Sequence, residues 1–98
     1  MEVTSVMENG TLTVSVIGRV DTNTTADLDR YLEEHLDGVE ALVLDLKDMK
    51  YTSSAGLRLF LKTQKRMNKQ GSMKLINVQD DVMEIFDMTG FSSILTIE

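Results

Sequence analysis

The segment Tyr51-Thr52-Ser53-Ser54-Ala55-Gly56-Leu57 holds the residues of this chain best suited to chemistry. Three hydroxyls in succession stand where a helical pattern begins, and the small Ala55 and Gly56 then allow close backbone approach. A helix start presents unpaired N–H groups and the positive end of the helix dipole, so it welcomes an oxyanion. Ser53 or Ser54 can serve as the helix cap. A cap serine that receives a phosphate would place that dianion where the helix end tolerates it best. Both roles are open to one residue.

Enzymatic uses of the same segment fail on spacing. A nucleophile elbow requires Gly-x-Ser-x-Gly, whereas Thr52 stands two residues before Ser54. No Gly-x-x-x-x-Gly-Lys-Ser/Thr run exists to cradle a nucleotide phosphate. A receiver-type phosphoacceptor needs an acidic cluster, and Asp21 and Asp45 are too few and too far apart to form one. The single histidine, His35, sits beside an apolar helical stripe at 28, 32 and 36, which fits a boundary or surface imidazole better than a base. It leaves no pair for a zinc site. The absence of cysteine removes disulfides, thiolate metal sites and cysteine nucleophiles together. No catalytic residue, metal or cofactor is expected.

A second constellation is basic. Arg58, Lys62, Lys65, Arg66 and Lys69 fall at i, i+4, i+7, i+8 and i+11, one stripe of a helix. The chain as a whole is acidic, with a formal net charge of −6, so this stripe is local. It reads either as a solvated face complementing the helix dipole or as a docking surface for an acidic partner. No aromatic residue interleaves with the charges, which argues against a nucleic-acid stacking groove. The acidic balance also disfavours nucleic acid and anionic lipid as bulk partners. Met67, Met83 and Met88 occupy helical positions suited to filling gaps in a core.

The elements that must position these residues follow from periodicity. Residues 2–8 and 11–17 alternate as half-buried strands, and Asn9-Gly10 between them favours a tight reversal. Thr24 and Asp27 give a capping-box-like spacing before Leu28, Leu32 and Leu36, so a helix is expected over 24–37. Residues 41–46 are apolar on both faces, as in an interior parallel strand. A helix over 54–70, a strand over 74–78, a helix over 80–88 and a strand over 93–97 complete the chain. The order β-β-α-β-α-β-α-β implies a mainly parallel mixed sheet in one α/β domain, residues 1–98. Three loops, 18–24, 47–54 and the turn at Gln79, should gather at the carboxyl ends of the strands. With 42% hydrophobic residues, no run of 18 apolar ones and no signal-peptide pattern, the expectation is a globular cytoplasmic protein.

Four segments in order resemble one family, the STAS domain of bacterial anti-sigma factor antagonists. They are Gly18-Arg19-Val20-Asp21, Leu42-Val43-Leu44-Asp45-Leu46, Tyr51-Thr52-Ser53-Ser54-Ala55-Gly56-Leu57 and Phe86-Asp87-Met88-Thr89-Gly90-Phe91. The resemblance implies a binding module rather than an enzyme. It aligns Ser54 with the family's phosphorylated serine and Asp21 with the acid of the neighbouring loop. Ser53 stands where many members have aspartate, and Ala55 where they often have a hydroxyl. The resemblance further implies partner switching. The unphosphorylated form binds an anti-sigma factor, often itself a serine kinase, and so releases the sigma factor for transcription; phosphorylation ends the contact, and a PP2C-like phosphatase restores it. On this reading Asp21, Thr52, Ser53, Ala55, Gly56, Arg58 and Lys62 face the partner, and the free protein is a monomer without nucleic-acid or membrane partners. Two alternatives stay open: a STAS module regulating a signalling enzyme or transporter, and a small-ligand or nucleotide-binding regulator.

Overall fold

A computed structural model describes the whole chain, Met1–Glu98. The alternating segments form a hairpin. Strand β1 (Glu2–Glu8) pairs antiparallel with β2 (Thr11–Val20), from Glu2 opposite Ile17 to Glu8 opposite Thr11. Asn9 and Gly10 turn the chain with φ of 52° and 82°, the left-handed pair that a two-residue hairpin requires. Helix α1 (Thr22–His35), strands β3 (Ala41–Asp45) and β4 (Met49–Thr52), helix α2 (Ser54–Gln70), strand β5 (Ser72–Ile76) and helix α3 (Asp80–Thr89) follow. A 3₁₀ turn, Phe91–Ser93, comes last. No helix is long and apolar enough to cross a membrane.

The sheet order is β1-β2-β3-β5, and β1 is an open edge. Strand β2 is long enough to serve two parallel neighbours in turn. Its residues 11–15 pair with β3, and from Gly18 onward it pairs with β4, with a bulge between Gly18 and Arg19. Only the β1–β2 pairing is antiparallel, so the mixed, mainly parallel sheet expected from the element order is present.

One face of the sheet carries the core. Leu12 and Val14 of β2 stand opposite Leu42 and Leu44 of β3, which stand opposite Met73 and Leu75 of β5. Leu28 and Leu32 of α1, Leu57, Phe60 and Met67 of α2, and Val82 and Phe86 of α3 join them in a single buried cluster. Phe60 and Phe86 meet edge to face with centroids 6.2 Å apart, tying α2 to α3. The other face, with Thr13, Ser15, Val43 and Asp45, stays half-buried and lies outside that cluster. The architecture is therefore a two-layer α/β domain. Strand β3 is interior by its neighbours rather than by burial of both faces.

Four local expectations are corrected. Helix α1 begins two residues earlier than read, because Asp21 rather than Thr24 caps it. Met49–Thr52, read as loop, is a strand held parallel to the end of β2. The strand expected over 93–97 contracts to one parallel bridge between Leu75 and Ile97. There the bonds Ile94 N–H to Phe91 O and Leu95 N–H to Phe91 O keep the chain coiled until Leu95 is buried, leaving only its last residues for β5. Met67 is buried as expected, whereas Met88 is 80% exposed.

The C-terminal segment is held from inside. Gln64, only 3% exposed, accepts the Thr96 N–H through Oε1 at 3.2 Å and donates through Nε2 to Asn68 at 2.9 Å. Gln64→Leu keeps the volume but leaves the Thr96 N–H without its partner, so it should cost about 1–3 kcal/mol. Amide exchange should accelerate selectively at Thr96. Equal exchange in both proteins would show that Gln64 does not anchor this segment.

Candidate functional site

Strands β2 and β4 end side by side. Val20 stands opposite Thr52, and the Ser53 N–H donates to the Val20 carbonyl at 2.8 Å. Each strand end then opens a helix, so two helix starts share one corner of the molecule.

Asp21 caps α1. Its Oδ1 accepts from the Asn23 N–H at 3.0 Å and the Thr24 N–H at 2.9 Å, and the Asp21 N–H donates back to Thr24 Oγ1 at 2.9 Å. This reciprocal box explains why Asp21 outcompetes Thr24 as the cap: its carboxylate can satisfy two orphan N–H groups. The Thr24 N–H bond is the largest cause holding the Asp21 carboxyl below the usual aspartate value, with the charge of Arg19 a smaller one. Asp21, expected from the resemblance to be the acid of the loop beside the serine, is thus engaged in capping.

Ser53 caps α2. Its Oγ accepts the Gly56 N–H at 3.3 Å, and its carbonyl accepts the Leu57 N–H at 3.0 Å. Ser54 is the first helical residue, exposed and outside the cap. Of the two serines, Ser53 therefore takes the capping role. The segment Tyr51–Leu57 itself contains no histidine, carboxylate or lysine.

Two residues expected to face a partner lie beneath the surface instead. Thr52 is buried, with its hydroxyl donating to the Ser53 carbonyl at 3.2 Å. Gly56 is buried against it: a Cβ there would overlap Thr52 Oγ1 and press on Val20 Cγ1 at 3.0 Å. Gly56 lets the first turn of α2 sit directly on the strand ends. Asp21, Ser53 and Ala55 are half-buried around this corner, and Arg58 and Lys62 are exposed along α2.

The third loop is tied to the second. Gln79 makes no side-chain cap for α3; its Nε2 reaches across to the Lys47 carbonyl at 2.6 Å. Asp45 accepts from the Lys47 N–H and from Asn77 Nδ2, each at 3.1 Å, so it braces this loop and forms no pair with Asp21. His35 is exposed and stacked on Tyr31 with centroids 4.0 Å apart, a surface imidazole as expected.

The basic stripe is divided. Lys62 pairs with Asp29 at 3.1 Å and Glu33 at 3.5 Å; Arg66 pairs with Glu33 at 3.6 Å and Asp37 at 2.9 Å. The Asp29 hydrogen bond leads the causes that raise the Lys62 pKa above the ordinary lysine value. Lys62 therefore belongs first to an interhelical ladder. Arg58, Lys65 and Lys69 form no ion pair. Sequence reading also missed the Arg19–Tyr51 contact, a guanidinium carbon 4.2 Å from the ring centroid. It depends on β4 being a strand, which places the two residues opposite each other.

Two concave surfaces exist, one on the open sheet face between β3 and β5 and one along the basic side of α2. Neither includes Asp21, Ser53 or Ser54. The serine corner is a surface and not a cleft, which suits a macromolecular contact better than a small ligand.

Comparison with known proteins supplies the remaining findings. The STAS domain model matches residues 2–98. The chain is 33% identical over 99 residues to the protein BtrV of Bordetella bronchiseptica, covering 99% of this chain and 85% of that one. It is 34% identical over 85 residues to the anti-sigma-B factor antagonist of Bacillus subtilis, covering 86% and 78% of the two chains. Its fold is similar to that of the anti-sigma factor antagonist SpoIIAA in its unphosphorylated form, with a TM-score of 0.83, 15% identity and coverage of 99% and 88%. Against the phosphorylated form of SpoIIAA from Bacillus the TM-score is 0.75, at 14% identity and 99% and 91% coverage.

The division of roles at the corner gives two expectations. Ser53→Ala should cost about 0.5–2 kcal/mol in urea melts, because the cap oxygen is lost. Ser54→Ala should stay within about 0.5 kcal/mol, as an exposed non-capping site does. Reversed values would exchange the assignments. For Asp21, the lowered folded pKa means that its stabilisation is complete above the unfolded value of ~3.9 and disappears as pH falls through the lower folded value. Asp21→Asn retains an acceptor and removes the titration, so the acid limb of stability against pH should become shallower. An unchanged acid limb would remove Asp21 from the account.

Proposed function

The chain belongs to the STAS domain family, and on that premise we propose that it is an anti-sigma factor antagonist controlled by phosphorylation of Ser54. In its unmodified form it binds an anti-sigma factor through the corner where α1 and α2 begin, and so frees the sigma factor for transcription. The anti-sigma factor is itself a serine kinase in this reading. It transfers the γ-phosphoryl group of ATP to Ser54 Oγ: the new O–P bond forms, the bond to ADP breaks, and a base of the kinase takes the hydroxyl proton. A PP2C-like phosphatase hydrolyses the ester. The protein acts as a cytoplasmic binding regulator, monomeric when free, and carries out no catalysis of its own.

The observation that supports this reading is the position of Ser54. It is exposed and one residue inside the helix, while Ser53 does the capping. A phosphate there adds about −1.5 to −2 charge without disturbing the cap, and the positive helix end favours it. The fold can therefore persist while the surface changes sign. At an interface the same dianion is either unpaired or set against the partner's charges, and the complex weakens. Asp21, Ser53, Ala55, Arg58 and Lys62 border the contact, with Thr52 and Gly56 supporting it from below.

Calorimetry with the anti-sigma factor, alongside thermal melts, tests the switch. Ser54→Ala should bind as the unmodified protein does. Ser54→Asp should bind roughly ten- to a hundredfold more weakly while melting within a few degrees of the parent. Peptide mapping after incubation with kinase and ATP should place one phosphate on Ser54. Tight binding by both Ser54→Asp and the phosphoprotein would sink the proposal, and a phosphate on Ser53 would sink the residue assignment.

A further inference from the structure

The free part of the basic stripe and the switch serine share one face of α2. Ser54, Arg58, Leu61, Lys65 and Lys69 follow at i, i+4, i+7, i+11 and i+15, so they succeed one another along that face. Leu61 is half-buried and lines the shallow groove together with the cations. Arg58 lies one turn beyond Ser54, is exposed, and forms no ion pair.

Four other charged groups near this end are already engaged. Asp21 caps α1, and Arg19 is stacked on Tyr51. Asp29 and Glu33 of α1 are held by Lys62. Residues 54–62 contain no acid, so a phosphate on Ser54 would be the one anion of α2 within a turn of Arg58. Its order, negative group first and cation four residues later, is the stronger orientation for a helical ion pair.

We propose that Arg58 is shared between two anions: a carboxylate of the partner while Ser54 is free, and the Ser54 phosphate once it forms. The inference rests on the switch reading above and adds a cause to it. Phosphorylation withdraws a docking cation as well as adding repulsion. The partner segment is acidic with an apolar residue for Leu61. Lys62 and Arg66 of the groove are already paired with Asp29, Glu33 and Asp37, so Arg58, Lys65 and Lys69 are the cations left for an incoming carboxylate.

Phosphoserine introduced at position 54 by genetic encoding tests the pair without kinase or partner. In ³¹P NMR at low salt, the second ionisation should lie roughly 0.2–0.4 pH units lower in the parent than in Arg58→Ala. Arg58→Lys should restore most of the difference, Lys65→Ala should have no effect, and added salt should shrink the shift. Identical titrations of parent and Arg58→Ala overturn the proposal. With the anti-sigma factor, Arg58→Ala should weaken the unmodified complex and narrow the ratio between unmodified and phosphorylated affinities about twofold. A shifted ionisation with an unchanged ratio overturns the sharing, since the partner would not use Arg58. Equal affinities of parent and phosphoprotein, with the ionisation shift present, overturn the switch reading instead and leave the intramolecular pair standing.

Discussion

The bond from the Ser53 N–H to the Val20 carbonyl is the contact on which the rest of this corner depends. It closes the parallel pairing of β2 with β4 at the point where both strands end, and it brings two helix starts together. Two aligned helix dipoles then point their positive ends at one place. Asp21 supplies a carboxylate at the first start, and Ser53 a neutral oxygen at the second. Helix α2 has no acid in its first turn. The second start is thus the one left short of negative charge, and Ser54 occupies it.

The helices that leave this corner are kept in step by complementary columns. Asp29, Glu33 and Asp37 recur every four residues on α1 and its exit, and Lys62 and Arg66 recur at the same interval on α2. Each exposed pair contributes little alone. They agree with the rotation that burial of Leu57, Phe60 and Met67 gives α2, which carries Ser54 and Arg58 outward. Gly56 and Thr52 act from beneath by letting the first turn rest on the strand ends. Surface and support are different residues within one short segment.

Much of this was legible in the sequence, because strong periodicity and punctuation survive folding. The alternation of β2, the start of α2 at Ser54 and its stop before Gly71 all stand as read. The misreadings have specific causes. Met49–Thr52 is four residues long and becomes a strand through its pairing with β2, whose paired residues lie 31 or 32 positions earlier. Asp21 displaced Thr24 as cap because the number of N–H groups a side chain satisfies decides the helix start, and spacing does not report it. The basic stripe looked uniform because its division depends on α1. The acidic column at 29, 33 and 37 was itself visible and, matched to 62 and 66, could have revealed the ladder. Arg19 and Tyr51 carried no such signal. The residues around Ser54 drew attention through family resemblance, since spacing alone could not say which of Ser53 and Ser54 caps α2.

The open edge of β1 bears on how the molecule behaves when crowded. Its outer backbone groups are free to pair with another strand, and Val6 and Met7 are among the exposed apolar residues. A second copy approaching antiparallel and centred on Ser5 would set Glu2 against Glu8 at both ends of the new ladder. Like charges directly opposed across strands are destabilising. The two glutamates therefore act as gatekeepers against edge-to-edge pairing in that register, at the edge farthest in the sheet order from β5.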